Sequence, residues 1–375
     1  MQWLSVEERK ALDNTFGIDF SHGKNGLLDA YMIYQRMKRP KLALSNTHSL
    51  FQKEGFTLLW FQTPACRYSI RGKCTVCNYW DGHLISGLMN RILPKLKLPD
   101  ICHTVLINTC GSCLDTFELP MSERLRLLAW LAESNVKRVI FETHLGTLSD
   151  ENMEQIMIAL PEKEIFYEVG AESANIDTLF YCLNKPSVLQ SLPSAIERMH
   201  RYRATSIVNV MVGAPFLNPY EQIEDARASI EFFLNQQADY ITLFPVNIKP
   251  HTLAMELYQK KAYHPVPVKL LPEILLKLPE SVLNRVNVAW FGDHIEAQVI
   301  PPTRCAACGE SVSLLNLFNE EEDNSARKEI LERIREIECD CLPSYVKKFD
   351  ARTFYSRIRC HYERILMETV VKGNE

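Results

Sequence analysis

Short apolar runs alternate with amphipathic segments along most of the chain. The runs are rich in β-branched and aromatic residues, which predicts strands, whereas the segments between them carry the apolar spacing of helices. The predicted strands cover residues 55–62, 103–109, 136–143, 164–171, 205–214, 239–246 and 285–291. Strands that alternate with helices favour βαβ units and a parallel sheet, as in a complete or partial (β/α) barrel. A doubly wound open sheet fits the same pattern.

The segments on either side of this alternating core differ from it. Residues 1–52 are predicted to form an N-terminal helical segment, and residues 53–300 are predicted to form the core itself. Residues 301–375 combine closely spaced cysteines, an acidic stretch and a basic final helix. This change in composition predicts a small appended C-terminal module.

Composition and charge narrow the class of protein. The chain has 375 residues, of which 46% are hydrophobic, and 42 Lys and Arg face 46 Asp and Glu, so no strongly basic field indicates nucleic acid, although a local groove is not excluded. The first sixteen residues carry acidic side chains where a signal peptide needs basic ones, and no later run is apolar enough to span a membrane. We expect a cytoplasmic protein with no membrane partner. In a reducing compartment its 12 cysteines favour metal ligation or redox chemistry.

Three cysteines lie together where the first predicted strand ends. They are Cys66, Cys74 and Cys77, in the segment TPACRYSIRGKCTVCNYWDG at 63–82. Three thiolates on a four-iron cluster leave one iron free to chelate S-adenosylmethionine, which the reduced cluster can then cleave. A zinc site completed by His83, or reduced thiols without a metal, fits the spacing as well.

The segment TPACRYSIRGKCTVCNYW resembles the radical S-adenosylmethionine superfamily, and within it the archaeosine-synthesis branch, a more distant relative of the catalytic subunit of Elongator. Further segments follow in matching order at 107–115, 168–175, 210–226 and 243–265. The resemblance implies an α/β fold built as a partial (β/α)6 barrel of the TIM type. It also implies a [4Fe-4S] cluster on Cys66, Cys74 and Cys77, with S-adenosylmethionine as the second cofactor.

The same resemblance implies roles for individual positions. Those expected to contact S-adenosylmethionine are Val76, Gly111, Ser112 and Glu172. Asn247 and Thr252 match polar family positions and are expected near the substrate. Structural roles compete with these, since a Gly-Ser pair can form a capped turn and a glutamate can form a salt bridge.

Two features of the sequence depart from the family pattern or stand outside it. Cys110 and Cys113 frame the Gly-Ser turn as a second CxxC, which fits either a redox pair or small apolar packing, and packing is favoured. His144 follows a predicted strand and is expected either to line the active site or to bond to backbone.

A second group of cysteines lies in the C-terminal module. Cys305 and Cys308 form one close pair, and Cys339 and Cys341 form another. Two close pairs suit a closed tetrahedral site, so structural zinc is favoured over an auxiliary iron-sulfur cluster and over free thiols.

These features predict a radical S-adenosylmethionine enzyme of lyase, transferase or oxidoreductase type that makes a 5'-deoxyadenosyl radical and abstracts hydrogen from a substrate. The resemblance implies a tRNA nucleoside adduct cleaved at a carbon-nitrogen bond, and an electron donor such as flavodoxin or ferredoxin. A free small molecule or a peptide is the alternative substrate, and a non-catalytic zinc protein is the alternative class. The basic final helix, 345–372, fits a phosphate-contacting face, but a solvated amphipathic helix is favoured.

Overall fold

The computed structural model describes residues 2–37, 47–53, 55–80, 82, 85–185, 188–289 and 299–372. Its centre is one eight-stranded sheet in which the strands follow one another in chain order. The strands are β1 (His48–Lys53), β2 (Phe56–Phe61), β3 (Thr104–Asn108), β4 (Arg138–Thr143), β5 (Glu164–Glu172), β6 (Thr205–Val212), β7 (Tyr240–Pro245) and β8 (Val286–Val288). Every neighbouring pair from β2 to β8 is parallel.

Fourteen α-helices accompany the sheet in the described residues. They are α1 (Val6–Phe16), α2 (Gly26–Met37), α3 (Arg67–Ile70), α4 (Leu88–Ile92), α5 (Met121–Glu133), α6 (Asp150–Ala159), α7 (Val188–Arg201), α8 (Pro219–Asn235), α9 (Leu253–Gln259), α10 (Leu270–Leu275), α11 (Glu310–Glu320), α12 (Asn324–Glu336), α13 (Cys341–Val346) and α14 (Phe354–Lys372). A π-helical turn spans Thr178–Cys182. No helix of the described chain combines the length and the apolar character that crossing a bilayer requires.

The predicted fold class is confirmed: this is an α/β protein with a partial barrel, an N-terminal helical segment and a cysteine-containing C-terminal helical region. Each of the seven predicted strands overlaps an observed parallel strand. Most of these strands alternate between buried positions and half-buried or exposed ones, and their many β-branched and aromatic residues make them recognisable in sequence. Residues 290 and 291 of the last predicted strand lie outside the described residues. The boundaries at 52 and 300 stay predictions.

Strand β1 was not predicted. It lies inside the segment expected to be helical and pairs antiparallel with β2, from His48 opposite Phe61 to Lys53 opposite Phe56. Its residues are half-buried or exposed. An exposed edge strand does not need an apolar run, so nothing in its composition distinguished it from a loop.

Local sequence signals explain where two of the helices begin. Glu8 N–H donates to the hydroxyl of Ser5, and Ser5 N–H donates to the Glu8 carboxylate, which forms a capping box at the start of α1. Asn218 and Glu221 form the same arrangement at α8, with Pro219 at the first helical position.

One face of the final helix, α14, packs against the N-terminal segment. The hydroxyl of Tyr362 accepts from the Asn25 amide at 2.9 Å and donates to the Tyr181 carbonyl at 2.8 Å, and its ring meets Phe16 edge-on. Arg357 forms a buried ion pair with Glu221. The buried face of α14 is thus part of the core, which favours the amphipathic-helix interpretation over a phosphate-contacting face.

Candidate metal and cofactor site

The three spaced cysteines lie in the loop that follows β2, at the carboxyl edge of the parallel strands. Cys66 is the N-cap of the short helix α3, and its sulfur accepts the N–H of Ser69 at 3.4 Å. Cys74 has a left-handed backbone, with φ of 65°. The sulfur of Cys77 accepts the N–H of Tyr79 at 3.4 Å. The carboxyl edge is where enzymes of barrel type place their chemistry.

The loop is held in place by distant parts of the chain. Thr75 donates through its hydroxyl to the carbonyl of Cys182 at 2.5 Å, which ties the loop to the π turn. On the other side, the carboxylate of Asp29 in α2 accepts from Lys73 at 2.8 Å and from the side-chain amide of Asn184 at 2.6 Å. The N-terminal helical segment therefore forms part of the wall behind the cysteines.

Gly72 packs directly against the backbone of α2. Its φ is +81°, and a Cβ atom at this position would lie 2.6 Å from the carbonyl oxygen of Asp29. Both the left-handed backbone and the missing side chain are therefore required here.

The surroundings of the three thiols suit a metal cluster. Burial raises the pKa of Cys74 to about 12 and raises the pKa values of Cys66 and Cys77 as well, so these thiols keep their protons unless a metal replaces them. Positive side chains nevertheless face the sulfurs: Arg36 lies near all three, Lys185 near Cys74 and Lys249 near Cys77. Cations and amide donors of this kind stabilise the negative charge of a thiolate-bound iron-sulfur cluster.

The Gly-Ser turn lies beside Cys66. A Cβ atom on Gly111 would lie 2.4 Å from a carboxylate oxygen of Glu118 and 2.9 Å from the Cβ atom of Cys66. Ser112 is fully buried; its N–H donates to Glu118 at 2.8 Å, and its hydroxyl bonds to the hydroxyls of Thr143 and Thr147. The polar groups of Ser112 are thus already engaged within the protein.

Glu172 ends β5 with a left-handed backbone, at a break in the register between β5 and β6. Its carboxylate accepts from Lys185 at 2.7 Å. Gly170 makes room for this arrangement, since a Cβ atom there would lie 2.5 Å from a Glu172 oxygen. The salt-bridge role considered from the sequence is therefore present, and it places Glu172 on the same side as Cys74.

Two further residues complete the neighbourhood of Cys66. His144 lies with Nε2 3.2 Å from the Cys66 sulfur and therefore faces the cysteine loop. Burial lowers the pKa of His144 to about 4 and raises the pKa of Glu118 to about 8. Glu118 was not predicted from the sequence, because a glutamate six residues beyond a Gly-Ser turn carries no pattern of its own.

No family model matches the chain. In sequence it is similar to the archaeosine synthase subunit beta of Thermococcus kodakarensis, with 27% identity over 211 residues that cover 53% of this chain and 64% of that protein. The archaeosine synthase subunit beta of Methanosarcina acetivorans is 28% identical over 215 residues, which cover 55% and 61% of the two chains. The matches span less than two thirds of each relative.

The predicted resemblance to the archaeosine-synthesis branch of the radical S-adenosylmethionine superfamily is confirmed. Among solved structures, the chain is similar to the archaeal Elp3 of Methanocaldococcus infernus, with a TM-score of 0.45 and 16% identity, covering 62% of this chain and 57% of that one.

Outside the sheet, the four C-terminal cysteines lie close together. The sulfurs of Cys305, Cys308, Cys339 and Cys341 all lie within 4.8 Å of one another. Lys269 closes the end of α12 nearby, because its ammonium group donates to the carbonyl oxygens at the end of that helix. The two pairs of cysteines, more than thirty residues apart in sequence, thus form one group that could hold a metal ion.

The other residues singled out in the sequence lie in several different parts of the fold. Val76 packs against the core within the cysteine loop. Thr252 is fully buried and caps α9 through its hydroxyl, while Asn247 is half-buried just after β7. Cys110 and Cys113 are both buried, and the structure describes both as free thiols. His83 lies outside the described residues.

Proposed function

We propose that this chain is a radical S-adenosylmethionine enzyme in which Cys66, Cys74 and Cys77 hold a [4Fe-4S] cluster. When bound and reduced, the cluster supplies the electron that cleaves S-adenosylmethionine to the 5'-deoxyadenosyl radical, which removes hydrogen from a substrate. A flavodoxin or a ferredoxin is the proposed electron donor. The observation that carries the proposal is one loop at the carboxyl edge of a partial barrel that holds two buried thiols, Cys66 and Cys74, and the half-buried thiol of Cys77, together with amide donors and cations.

The chain's own residues then have separate tasks. Gly111 keeps the space beside Cys66 open, and Val76 covers the loop from the core side. Glu172 offers a carboxylate to the ribose or the amine of S-adenosylmethionine and is held by Lys185. The apolar strands that surround the site exclude water and competing hydrogen donors from the radical.

The experiment is reconstitution with iron and sulfide without oxygen, followed by reduction and measurement of 5'-deoxyadenosine. We expect the triple variant Cys66→Ala, Cys74→Ala, Cys77→Ala to lose both the iron absorbance and the product. Cys102→Ala is the control, because Cys102 is buried like Cys66 and Cys74 but lies just before β3, where its sulfur bonds to the hydroxyl of Thr57 in β2. Deoxyadenosine from the triple variant, or none from the wild-type chain, would contradict the proposal.

We further propose that the substrate is a modified tRNA nucleoside and that the reaction breaks a carbon-nitrogen bond. The similarity to two archaeosine synthase beta subunits supports this choice. The formal net charge of −4 means that affinity for tRNA must come from a local surface and not from the overall field. Retarded migration of tRNA in a gel, weakened by salt, is the expected result.

A free small molecule or a peptide is the competing substrate class. If this alternative holds, tRNA is not retarded in the gel even at low salt. A small-molecule extract then stimulates the production of 5'-deoxyadenosine. Stimulation by tRNA but not by the extract would remove this alternative.

For the C-terminal cysteines we propose structural zinc. Four sulfurs at 2.3 Å from a central ion lie about 3.8 Å apart in a tetrahedron. The observed separations are 3.5 Å between the sulfurs of Cys305 and Cys308 and 3.7 Å between those of Cys308 and Cys341. These distances fit one ion. Metal analysis of a colourless, cluster-free preparation should give zinc that Cys308→Ser removes; iron at this position would favour the auxiliary cluster.

A further inference from the structure

The loops after three adjacent parallel strands bring a thiol, a carboxylate and an imidazole together. Cys66 follows β2, Glu118 follows β3 and His144 follows β4. Their ligand atoms all lie within 4.8 Å of one another, and the sulfur of Cys66 is 3.2 Å from Nε2 of His144. One point in space is therefore within reach of all three side chains.

Glu118 supplies an independent observation, because one of its buried carboxyl oxygens has no hydrogen-bond partner among the described residues. The residue is 1% exposed. Its Oε2 atom accepts from the N–H of Ser112 at 2.8 Å and from the hydroxyl of Thr63 at 3.4 Å. Its Oε1 atom is buried and has no hydrogen-bond partner among the described residues. A buried carboxylate oxygen without a partner is costly, and a bound cation removes the cost.

We propose that Cys66, Glu118 and His144 bind a single divalent metal ion, best matched by zinc, in the protein that carries no cluster. One sulfur, one nitrogen and one oxygen ligand are the donors that zinc takes, and three protein ligands leave its fourth position to water. Binding replaces the thiol proton of Cys66 and, below about pH 8, the carboxyl proton of Glu118, and both protons pass to solvent. This ligand set uses neither Cys74 nor Cys77.

Because the ion and the cluster both require Cys66, each excludes the other. Zinc on this site therefore blocks cluster assembly, and removal of zinc permits it. The metal site does not depend on the proposed function. The mutual exclusion of zinc and the iron-sulfur cluster does rest on the proposed function, because it requires the cluster on Cys66.

The test is an anaerobic titration of the cluster-free full chain with zinc, using a chromophoric chelator as competitor. Glu118→Gln and His144→Gln are each expected to lose one bound equivalent relative to wild type, with affinity at that site weakened by at least about tenfold. The double variant Cys74→Ala, Cys77→Ala is the matched control and should keep the equivalent. Circular dichroism melting verifies that each variant is folded.

Two results would overturn the metal site: full retention of the equivalent in Glu118→Gln and His144→Gln, or its loss in the Cys74→Ala, Cys77→Ala control. The second result would assign zinc to the three spaced cysteines instead.

The exclusion has its own test. Wild-type protein loaded with zinc before reconstitution should form less cluster absorbance than chelator-treated protein, and Glu118→Gln should show no such difference. Equal assembly with and without zinc in the wild type would overturn the exclusion. Failure of the zinc-free protein to form any cluster would contradict the proposed function and leave the metal site standing.

Discussion

Arg9 donates through Nε to a carboxylate oxygen of Asp177 at 2.8 Å, although 168 positions separate the two residues in sequence. The other oxygen of the same carboxylate accepts the backbone N–H groups of Trp3 and Leu4. The side chain of Asp177 is fully buried. A single carboxylate therefore fastens the start of the chain to the barrel, next to the π turn that supports the cysteine loop.

Replacement of this carboxylate should destabilise the fold. Asp177→Asn keeps the size of the side chain but leaves the largely buried Arg9 without a counter-charge, and we expect a loss of about 3 kcal/mol in the free energy of unfolding. Urea denaturation measures it. Asp19→Asn is the control, since Asp19 pairs with exposed His22 and should change little. An equal loss in both variants would show that the buried pair of Arg9 and Asp177 contributes no more to the free energy of unfolding than the exposed pair does.

Gly72 can be tested against another glycine with the same backbone. Gly72→Ala and Gly17→Ala both place a side chain on a left-handed residue, which costs about 1 kcal/mol. A Cβ atom on Gly17 meets open space, whereas one on Gly72 collides with Asp29. We expect Gly72→Ala to cost about 2 kcal/mol more and to bind less iron after reconstitution. Equal stability of the two variants would mean that α2 moves away from the added Cβ atom at no cost in the free energy of unfolding.

Asp225 should make stability depend on pH. Burial raises its pKa from 3.8 to about 7, although hydrogen bonds from Thr178 and Ser173 oppose this shift. The folded state therefore prefers the protonated form, and its contribution to stability is complete below pH 4 and is lost as pH rises through about 7. Asp225→Asn should be more stable than wild type at pH 8, by up to about 4 kcal/mol, with the difference vanishing near pH 4.

The pKa of Asp239 is shifted in the opposite direction from that of Asp225, so its effect on stability should depend on pH in the opposite way. Burial acts to raise its pKa, but hydrogen bonds from Ser206 and His200 hold the pKa below its usual value. Stability from this group is present above the unfolded pKa and is lost as pH falls, so Asp239→Asn should be less stable than wild type at pH 8. Melting temperatures from pH 8 down to about pH 2 test both variants, because the contribution of Asp239 is lost only below about pH 4, and parallel curves for the two would contradict the assignment.

Removal of the C-terminal metal should destabilise the module around it. Cys308→Ser deletes a fully buried ligand, and we expect the loss of one zinc and a melting temperature lower by about 5 °C or more. Cys360→Ser is the matched control, because Cys360 lies in α14, outside the cysteine group. Calorimetry with metal analysis measures both. Unchanged zinc in Cys308→Ser would place the ion elsewhere.

Sequence alone determined the repeated strand and helix order, the fold class and the two cysteine groups. The parallel strands are short runs rich in β-branched and aromatic residues between amphipathic helical segments, and both patterns can be recognised locally. Cysteines such as Cys305 and Cys308 can be recognised because metal ligands on one turn need close spacing.

Tertiary structure decided the rest. The edge strand β1 carries no apolar run, and the carboxylate of Asp177 meets the N-terminus by long-range folding. Likewise, Glu118 and His144 lie beside Cys66 because β2, β3 and β4 are neighbours that end at one edge of the sheet. Contacts between loops depend on where each strand ends in space, and no local pattern of residues records that position.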